Sequence, residues 1–473
     1  MVGPVNEKNN LATNFFPDRG LVQLGANGLD QLYKPDKNNF GPRAGLAWDP
    51  TGSGKTSVRA GYALTYDTAL IGTVHPGLFS TPALGVFRVS FAQTPRFAPD
   101  APGVTCLDPN NSTAGGDYVC LQSGVPVFGS LPTGAPPFNI FRVPDDFHSG
   151  YYHYFHATLQ REVLRNSSVT VSYVGSRGND LVWRREINAP SLGSPTSGNI
   201  DALRPFFSQF PQYRSILQFT NDSKSWYDSM QLSFRQNQWH GINTQYNYTL
   251  SKCTDYNSGS RDGATEQAMN PYDPSNNEGP CTSDIRHNFN FGGSYAVPGG
   301  SVGGGPLQIG AVFSALSGRP FTPGVGSFDQ SGQNTGQLRA DCLADPIYDY
   351  SLSYLFPDLN TSRAAITNAA QAFATAAPGR LGTCGRGSGR GPKFAQLDLN
   401  ILKEFKLQGN KRLQARWEIF NLTNRVNLGG FLSTSVRSAS FGKIGSTPDV
   451  DRGNPVLGTG GPRAMQWAVK VLF

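Results

Sequence analysis

The chain has 473 residues and carries 55 Gly, 34 Pro, 30 Phe and 18 Tyr with only 15% charged residues, a low-charge, aromatic-rich balance that excludes an intrinsically disordered chain. The formal net charge is +7, yet Lys and Arg are spread thinly and form no dense block of the kind that binds nucleic acid, so no nucleic-acid partner is expected. No stretch approaches ~18 consecutive apolar residues, which excludes a transmembrane helix and leaves a closed barrel as the way such a chain could span a bilayer.

From Met1 to Lys8 there is neither the basic nor the apolar region of a secretory leader, so an exported protein with this sequence is expected to have lost its leader or something longer. Alternation at a two-residue period begins at Arg43 to Trp48 and resumes through Val58, Ala60, Tyr62, Leu64 and Tyr66 after a turn at Asp49 to Gly54, which predicts a hairpin. A Gly/Pro-rich stretch from about Asp67 to Gly150 reads as one large loop. Phe155, Ala157 and Leu159 then lead through a turn at Arg165 to Ser167 into Val169, Val171 and Tyr173. A loop from about Asn188 to Lys224 separates them from Met230, Leu232 and Phe234, which turn at Gln238 to Gly241 into Ile242, Thr244, Tyr246, Tyr248 and Leu250. After a loop from about Cys253 to Ser283, His287, Phe289, Phe291 and Tyr295 pass a Gly-rich turn into Leu307, Ile309, Ala311, Phe313 and Ala315. The next loop, about Ser317 to Pro392, has an alanine-rich segment from Ser362 to Ala377 suited to a short helix. Leu397, Leu399 and Ile401 turn near Gln408 to Asn410 into Leu413, Ala415, Trp417 and Ile419, and a last loop reaches a terminal strand with Met465, Trp467, Val469, Val471 and Phe473 on one face.

This counts eleven strands, with short turns at one end and long loops at the other, the asymmetry of outer-membrane barrels. Arg412, Gln414, Arg416 and Glu418 alternate with apolar residues, as do Gln396, Asp398 and Asn400, and charged groups on those positions require a wet lumen rather than hydrocarbon. Trp48, Tyr62, Tyr66, Tyr246, Tyr248 and Trp417 are then expected in interfacial aromatic girdles. Two packed sheets with a polar outside would explain the alternation equally well, but not the unequal ends.

Several stretches resemble the carboxy-terminal half of Oar-like TonB-dependent outer-membrane receptors: Lys37 to Pro50 (KNNFGPRAGLAWDP), Arg59 to Tyr62, Tyr246 to Lys252 (YNYTLSK), Asp284 to Phe289 (DIRHNF), Ser317 to Phe321 (SGRPF) and Glu418 to Asn424 (EIFNLTN). They stand in the family's order from near Phe40 to Phe473. The resemblance implies an all-β antiparallel transmembrane barrel of which this chain holds about half the strands of a 22-stranded kind. It divides the chain into an amino-terminal loop segment at 1–39 and the barrel half at 40–473, with the plug domain expected elsewhere and the chain expected to be a fragment. It further implies energy-coupled uptake of an unidentified extracellular ligand, with TonB engaged through the plug region, contact with outer-membrane lipid and lipopolysaccharide, and recognition by the barrel assembly machinery. Trp467, Val469, Val471 and Phe473 resemble the carboxy-terminal signal that such machinery reads. Competing readings are an autonomous pore or adhesin assembled from half-barrels, and a soluble secreted carbohydrate-binding β protein.

Candidate ligand-binding residues are the lumen-facing Arg235, Gln245, Asp398, Asn400, Arg412, Arg416 and Glu418, which could equally pair with one another or with a plug. The six cysteines sort by loop as Cys106 with Cys120, Cys253 with Cys281 and Cys342 with Cys384, and they lack the C-x-x-C spacing of zinc or redox sites, so disulfides are expected. His153 and His156 fall on opposite faces of a strand and cannot chelate together, so no metal is expected. Gly52 to Thr56 (GSGKT) lacks both the earlier glycine and the following helix of a phosphate-binding loop, and reads as a hairpin turn. No catalytic arrangement can be assembled, and neither enzymatic activity nor a cofactor is expected.

Overall fold

Strands in which every second residue is apolar have two unlike faces, and here they are laid edge to edge so that like faces coincide. The computed structural model describes residues 13–34, 36–67, 96–99, 118–121, 137–258, 267–298, 300, 303–333, 335, 338–349, 363–451 and 460–473, with 96–99, 118–121, 138, 363, 450 and 451 described by backbone alone. Eleven long strands make the main sheet: β1 (Arg43–Trp48), β2 (Thr56–Tyr66), β3 (Tyr151–Leu164), β4 (Ser167–Glu186), β5 (Tyr213–Trp239), β6 (Ile242–Asp255), β7 (His287–Ala296), β8 (Gly304–Leu316), β9 (Phe394–Lys406), β10 (Arg412–Phe420) and β11 (Ala464–Leu472). Each pairs antiparallel with its neighbours in sequence, so the order in the sheet is the order in the chain, as the periodicity predicts. Two short strands join the sheet off this path, Phe138–Arg142 parallel to β5 and Gly279–Pro280 beside β6. The sheet is open: β1 and β11 are not paired with each other among the described residues. Because the number on the path is odd, these two edge strands run in the same direction.

The tight connections all lie at one end. Asp49 closes the first by accepting hydrogen bonds from the Thr51 amide at 3.0 Å and the Gly54 amide at 2.7 Å. No helix follows Lys55, and the GSGKT stretch is a hairpin turn leading into β2. Gly241 turns β5 into β6 at φ +82°, where a Cβ would press against the Ala296 carbonyl.

Registers align the faces across the sheet. One outer row runs Leu46, Ala60, Ala157, Tyr173, Met230 and Leu250. One inner row runs Arg59, Thr158, Ser172, Gln231, Thr249 and Asn288, with a 2.9 Å hydrogen bond between the Thr158 and Ser172 hydroxyls.

The buried core is not in the lipid-facing part of this sheet but in the layer formed by the long connections and the loop-side ends of β4 and β5, and here the expectations need correction. The stretch from about Asp67 to Gly150 is not one featureless loop: Phe138–Arg142 is a strand, and Arg96–Pro99 pairs in parallel with Tyr118–Leu121. The region expected as loop from about Asn188 to Lys224 is partly strand, since β5 begins at Tyr213 and is 27 residues long, beside the 20 residues of β4. Likewise β6 runs on to Asp255. The alanine-rich segment forms only one helical turn, Ala369–Ala372, between the two-residue strands Arg363–Ala364 and Phe373–Ala374. Propensity without a neighbour to pack against yields to pairing with other loop strands.

The segment before β1 also has structure, a hairpin of Thr13–Phe16 and Gly20–Gln23. Its Val22 joins Leu24, Leu29, Leu32, Val143, Phe147 and Phe219 in one buried cluster, while Phe15 packs with Ile140, Tyr213 and Ile216 in another. A third cluster gathers Met269 from the loop after β6 with Val325, Leu338, Ile366 and Phe373 from the loop after β8.

Candidate functional site

The inner face is the wall of the expected lumen, and every candidate residue lies on it. Arg235 and Gln245 are directly opposite on β5 and β6, where Arg235 Nε donates to Asn237 Oδ1 at 3.1 Å and Gln245 Nε2 to Asn247 Oδ1 at 3.2 Å. On β9 and β10, Asn400 faces Glu418 and donates to its Oε1 at 3.1 Å, while Gln466 donates to the other carboxylate oxygen. Asp398 accepts from Gln396 Nε2 at 2.8 Å and from the Asn421 amide at 2.7 Å. Arg412 pairs with Glu404 at 3.4 Å, and Gln414 donates to the same carboxylate at 3.0 Å. Arg416 is exposed on the same face. The fold therefore gathers Asp398, Asn400, Arg412, Arg416 and Glu418 on one strand pair and separates them from Arg235 and Gln245 by β7 and β8.

The outer face carries an apolar belt topped by a polar collar. On β6 the belt runs from Ile242 to Leu250, and nine residues of a tilted strand rise on the order of 20–25 Å, close to the height of a lipid-facing band. Trp417 stacks on Trp467 at 4.9 Å within it. Above it, towards the long loops, Arg177 Nη2 meets Asp228 at 2.8 Å, and Tyr173 donates to the same carboxylate at 2.5 Å. Tyr62 and Tyr248 hydroxyls lie 2.8 Å from the Nδ1 atoms of His153 and His287. His156 points to the other face, over Gly61, so the two histidines part as expected. Among the expected girdle aromatics, Tyr62, Tyr66 and Tyr248 lie towards the collar and Trp48 at the short-turn end, whereas Tyr246 and Trp417 stand in mid-strand. Among the described residues there is no group of three metal-ligating side chains, and no helix is long and apolar enough to cross a membrane.

The long-loop layer is held by buried polar contacts and two disulfides, Cys253–Cys281 and Cys342–Cys384. Cys106 lies outside the described residues and Cys120 is described by its backbone alone, so the third expected pair falls outside them. Arg386, 4% exposed, is bound to Asp255 and donates through Nε to the Asn277 carbonyl at 2.7 Å. Arg339 donates to the Asn276 carbonyl and to Asn277 Oδ1, both at 2.7 Å. Arg386, Arg339 and Asn277 line a cavity of about 410 Å³ together with Gln267, Phe321 and Thr434. Nearby, the hydrogen bond from Arg380 and that from the Thr383 amide hold the Asp341 carboxyl below the usual carboxylate range.

A polar inner wall, an apolar outer belt and unequal ends make a barrel wall for a membrane. The family described as outer membrane beta barrel domain matches residues 1–466. The chain belongs to that family. As an outer-membrane barrel chain it resides in the outer membrane, and its short turns and long loops correspond to the periplasmic and extracellular ends of such barrels. Among solved structures it is similar to the outer membrane transporter YddB from Escherichia coli, with a TM-score of 0.44 and 11% identity over 92% of this chain and 40% of that one. It is also similar to BauA, the ferric preacinetobactin receptor from Acinetobacter baumannii, with a TM-score of 0.38 and 11% identity over 91% of this chain and 36% of that one. A third similar structure is the iron transporter FrpB from Neisseria meningitidis, with a TM-score of 0.39 and 10% identity over 92% and 39%. The chain thus spans two fifths or less of the length of these structures. A comparison with curated protein sequences gave no match.

Sequence reasoning located the wall of this outer-membrane barrel but missed the buried arginines of its extracellular layer. The local signal for Arg386 is that it sits in a glycine-rich run, Gly385 to Gly391, where small residues let other backbones approach closely.

Proposed function

We propose that this chain supplies barrel wall and extracellular loops to a TonB-dependent receptor that takes up an extracellular ligand with energy coupling. The observation that carries the reading is the extracellular layer itself: strands β4 and β5 continue past the apolar belt into an ordered, disulfide-linked layer with its own cavity. A simple pore has no need of such a layer, whereas a receptor needs a surface to capture its ligand. The stretches resembling Oar-like receptors point the same way. In this reading the ligand binds at the extracellular layer, TonB acts on the receptor from the periplasm, and the chain performs no catalysis.

Membership of an outer-membrane family removes the soluble carbohydrate-binding alternative. The half-barrel alternative meets a topological objection. Two copies closing one barrel would set β11 of one against β1 of the other running in the same direction, while neighbouring strands in bacterial barrels are antiparallel.

The test is genetic. In the native host, deleting this locus and deleting TonB are expected to produce the same growth defect on one limiting nutrient among iron, cobalamin and oligosaccharide sources. Uptake through this protein that persists without TonB would overturn energy coupling and restore a passive pore.

A further inference from the structure

The cavity of the extracellular layer lies among the loops after β6, β8 and β10, with Thr282, Gly326 and Thr434 exposed in its lining and Asn277, Leu338, Arg339 and Arg386 buried. The charge in its buried part is spent inside the protein. All three guanidinium nitrogens of Arg386 donate to protein groups: Nε to the Asn277 carbonyl, Nη1 to Ser258 Oγ at 3.2 Å, and Nη2 to the Asp255 carboxylate and the Gly279 carbonyl. Nη1 and Nη2 of Arg339 donate to the Cys384 and Asn276 carbonyls and to Asn277 Oδ1. Among the described residues no acidic side chain lines the cavity. What the lining has left to offer is neutral. The side chains of Gln267, Thr282 and Thr434 make no hydrogen bond among the described residues, and the Thr322 hydroxyl, which accepts from the Gly387 amide at 2.9 Å, has its proton to give. The Phe321 ring, Pro280, Pro320 and Leu338 set apolar surface beside these groups.

We infer that this cavity is a carbohydrate site, taking a short stretch of a neutral oligosaccharide with Gln267, Thr282, Thr322 and Thr434 on its hydroxyls and Phe321 against a ring face. The chemistry of the lining selects that class. A cation would find no carboxylate, and an anion would find arginines whose hydrogen bonds already go to protein carbonyls and to Asp255. A sugar ring has apolar carbon–hydrogen faces and a rim of hydroxyls that both give and take hydrogen bonds, and it needs amides, hydroxyls and a flat apolar surface side by side. The volume of about 410 Å³ lies within the range of small-molecule sites. The walls are also held in place before any ligand arrives. Cys281, between the lining residues Pro280 and Thr282, is tied to Cys253 at the end of β6, and Cys384, two residues before Arg386, is tied to Cys342. A site fixed in this way loses little ordering entropy on binding. The inference rests on the reading of the extracellular layer as the place of ligand capture, and it adds the class of ligand.

The experiment is titration calorimetry of the full chain in polyoxyethylene micelles, whose headgroups carry no sugar. The probes are maltotriose, cellotriose, xylotriose and chitotriose, with trigalacturonate and citrate as acidic comparators. At least one neutral trisaccharide is expected to bind, with an affinity that changes less than about twofold when salt is raised. The combined variant Gln267→Leu, Thr282→Val and Thr434→Val keeps side-chain volume, removes the hydrogen-bonding groups and is expected to weaken that binding about tenfold or more. The same kinds of change on the inner wall, Thr158→Val, Gln231→Leu and Thr249→Val, are expected to alter it less than about twofold. Folding of every variant is checked by heat-modifiable migration. Absence of binding by all four neutral trisaccharides would overturn the inference, as would equal weakening by the inner-wall variant. Tighter, salt-sensitive binding of trigalacturonate or citrate would also overturn it, in favour of an anion site. These outcomes are read on the purified chain without TonB, so they stand apart from the genetic test of energy coupling.

Discussion

Trp467 in the lipid-facing belt is 74% exposed and Trp183, where β4 runs on into the extracellular layer, is 0% exposed, and the two tryptophans represent regions built against different surroundings. In the sheet the large apolar side chains Leu46, Leu232, Val469 and Val471 stand outward, and the inner face is polar, so lipid on one side and water on the other replace a core. Stability there comes from the antiparallel ladder and from the membrane. In the layer, Phe15, Leu32, Ile216 and Phe219 are buried, polar groups are tied to one another, and disulfides close the loops, as in a small secreted domain. The difference teaches that one chain can carry two solutions to the same thermodynamic problem, and that damage to one need not spread to the other.

That separation can be broken or sharpened by experiment. Arg386→Met should have the largest effect, because it leaves the Asp255 carboxylate buried without its partner, at a cost of about 3–5 kcal/mol. The extracellular layer is expected to become open to trypsin from outside the cell while the sheet keeps its heat-modifiable migration; loss of both would show that the regions fold as one unit. Next comes a matched pair in the sheet. Leu232→Arg places a charge on the lipid-facing side at about 2–4 kcal/mol and should lower the folded amount in the outer membrane, whereas Gln231→Arg, one residue away on the wet face, should be tolerated within about 1 kcal/mol. Equal loss in both would contradict the assignment of faces. The smallest effect is expected from acid. The Asp341 carboxyl is held low chiefly by the Arg380 hydrogen bond, so its contribution is present above the ordinary carboxylate value and is lost as pH falls below about 4 towards the depressed one. With Arg380 46% exposed and screened, this should show as local hydrogen exchange around residues 341–343 and 380–384, with β6 to β8 unchanged.

Strand positions were legible because each strand announces itself. Met465, Trp467, Val469 and Val471 alternate with Gln466, Ala468 and Lys470, and a strand between lipid and water must repeat in this way whatever its neighbours are. The short turns were legible for the same local reason, with Gly241 and the Asp49 side chain supplying turn chemistry within a few residues. The candidate wall residues Asp398, Asn400 and Glu418 followed from the period, and the structure adds that the two carboxylates accept hydrogen bonds from side-chain amides, Asn400 among the donors to Glu418, rather than standing free. Where β4 and β5 stop was not legible, because outside the membrane the two faces no longer meet different solvents and the alternation loses its cause.

The sequence by itself determined the number and order of the wall strands, which face of each meets lipid, and which end carries the long loops. All three depend on residues two to ten positions apart, within reach of local periodicity and turn chemistry. Only the tertiary structure decided the core of the extracellular layer. Arg386 reaches Asp255 across 131 positions, and Asn14 donates to the Val143 carbonyl at 2.6 Å across 129. Such contacts satisfy buried polar groups by whatever part of the chain arrives beside them, and they leave no repeating mark in the sequence.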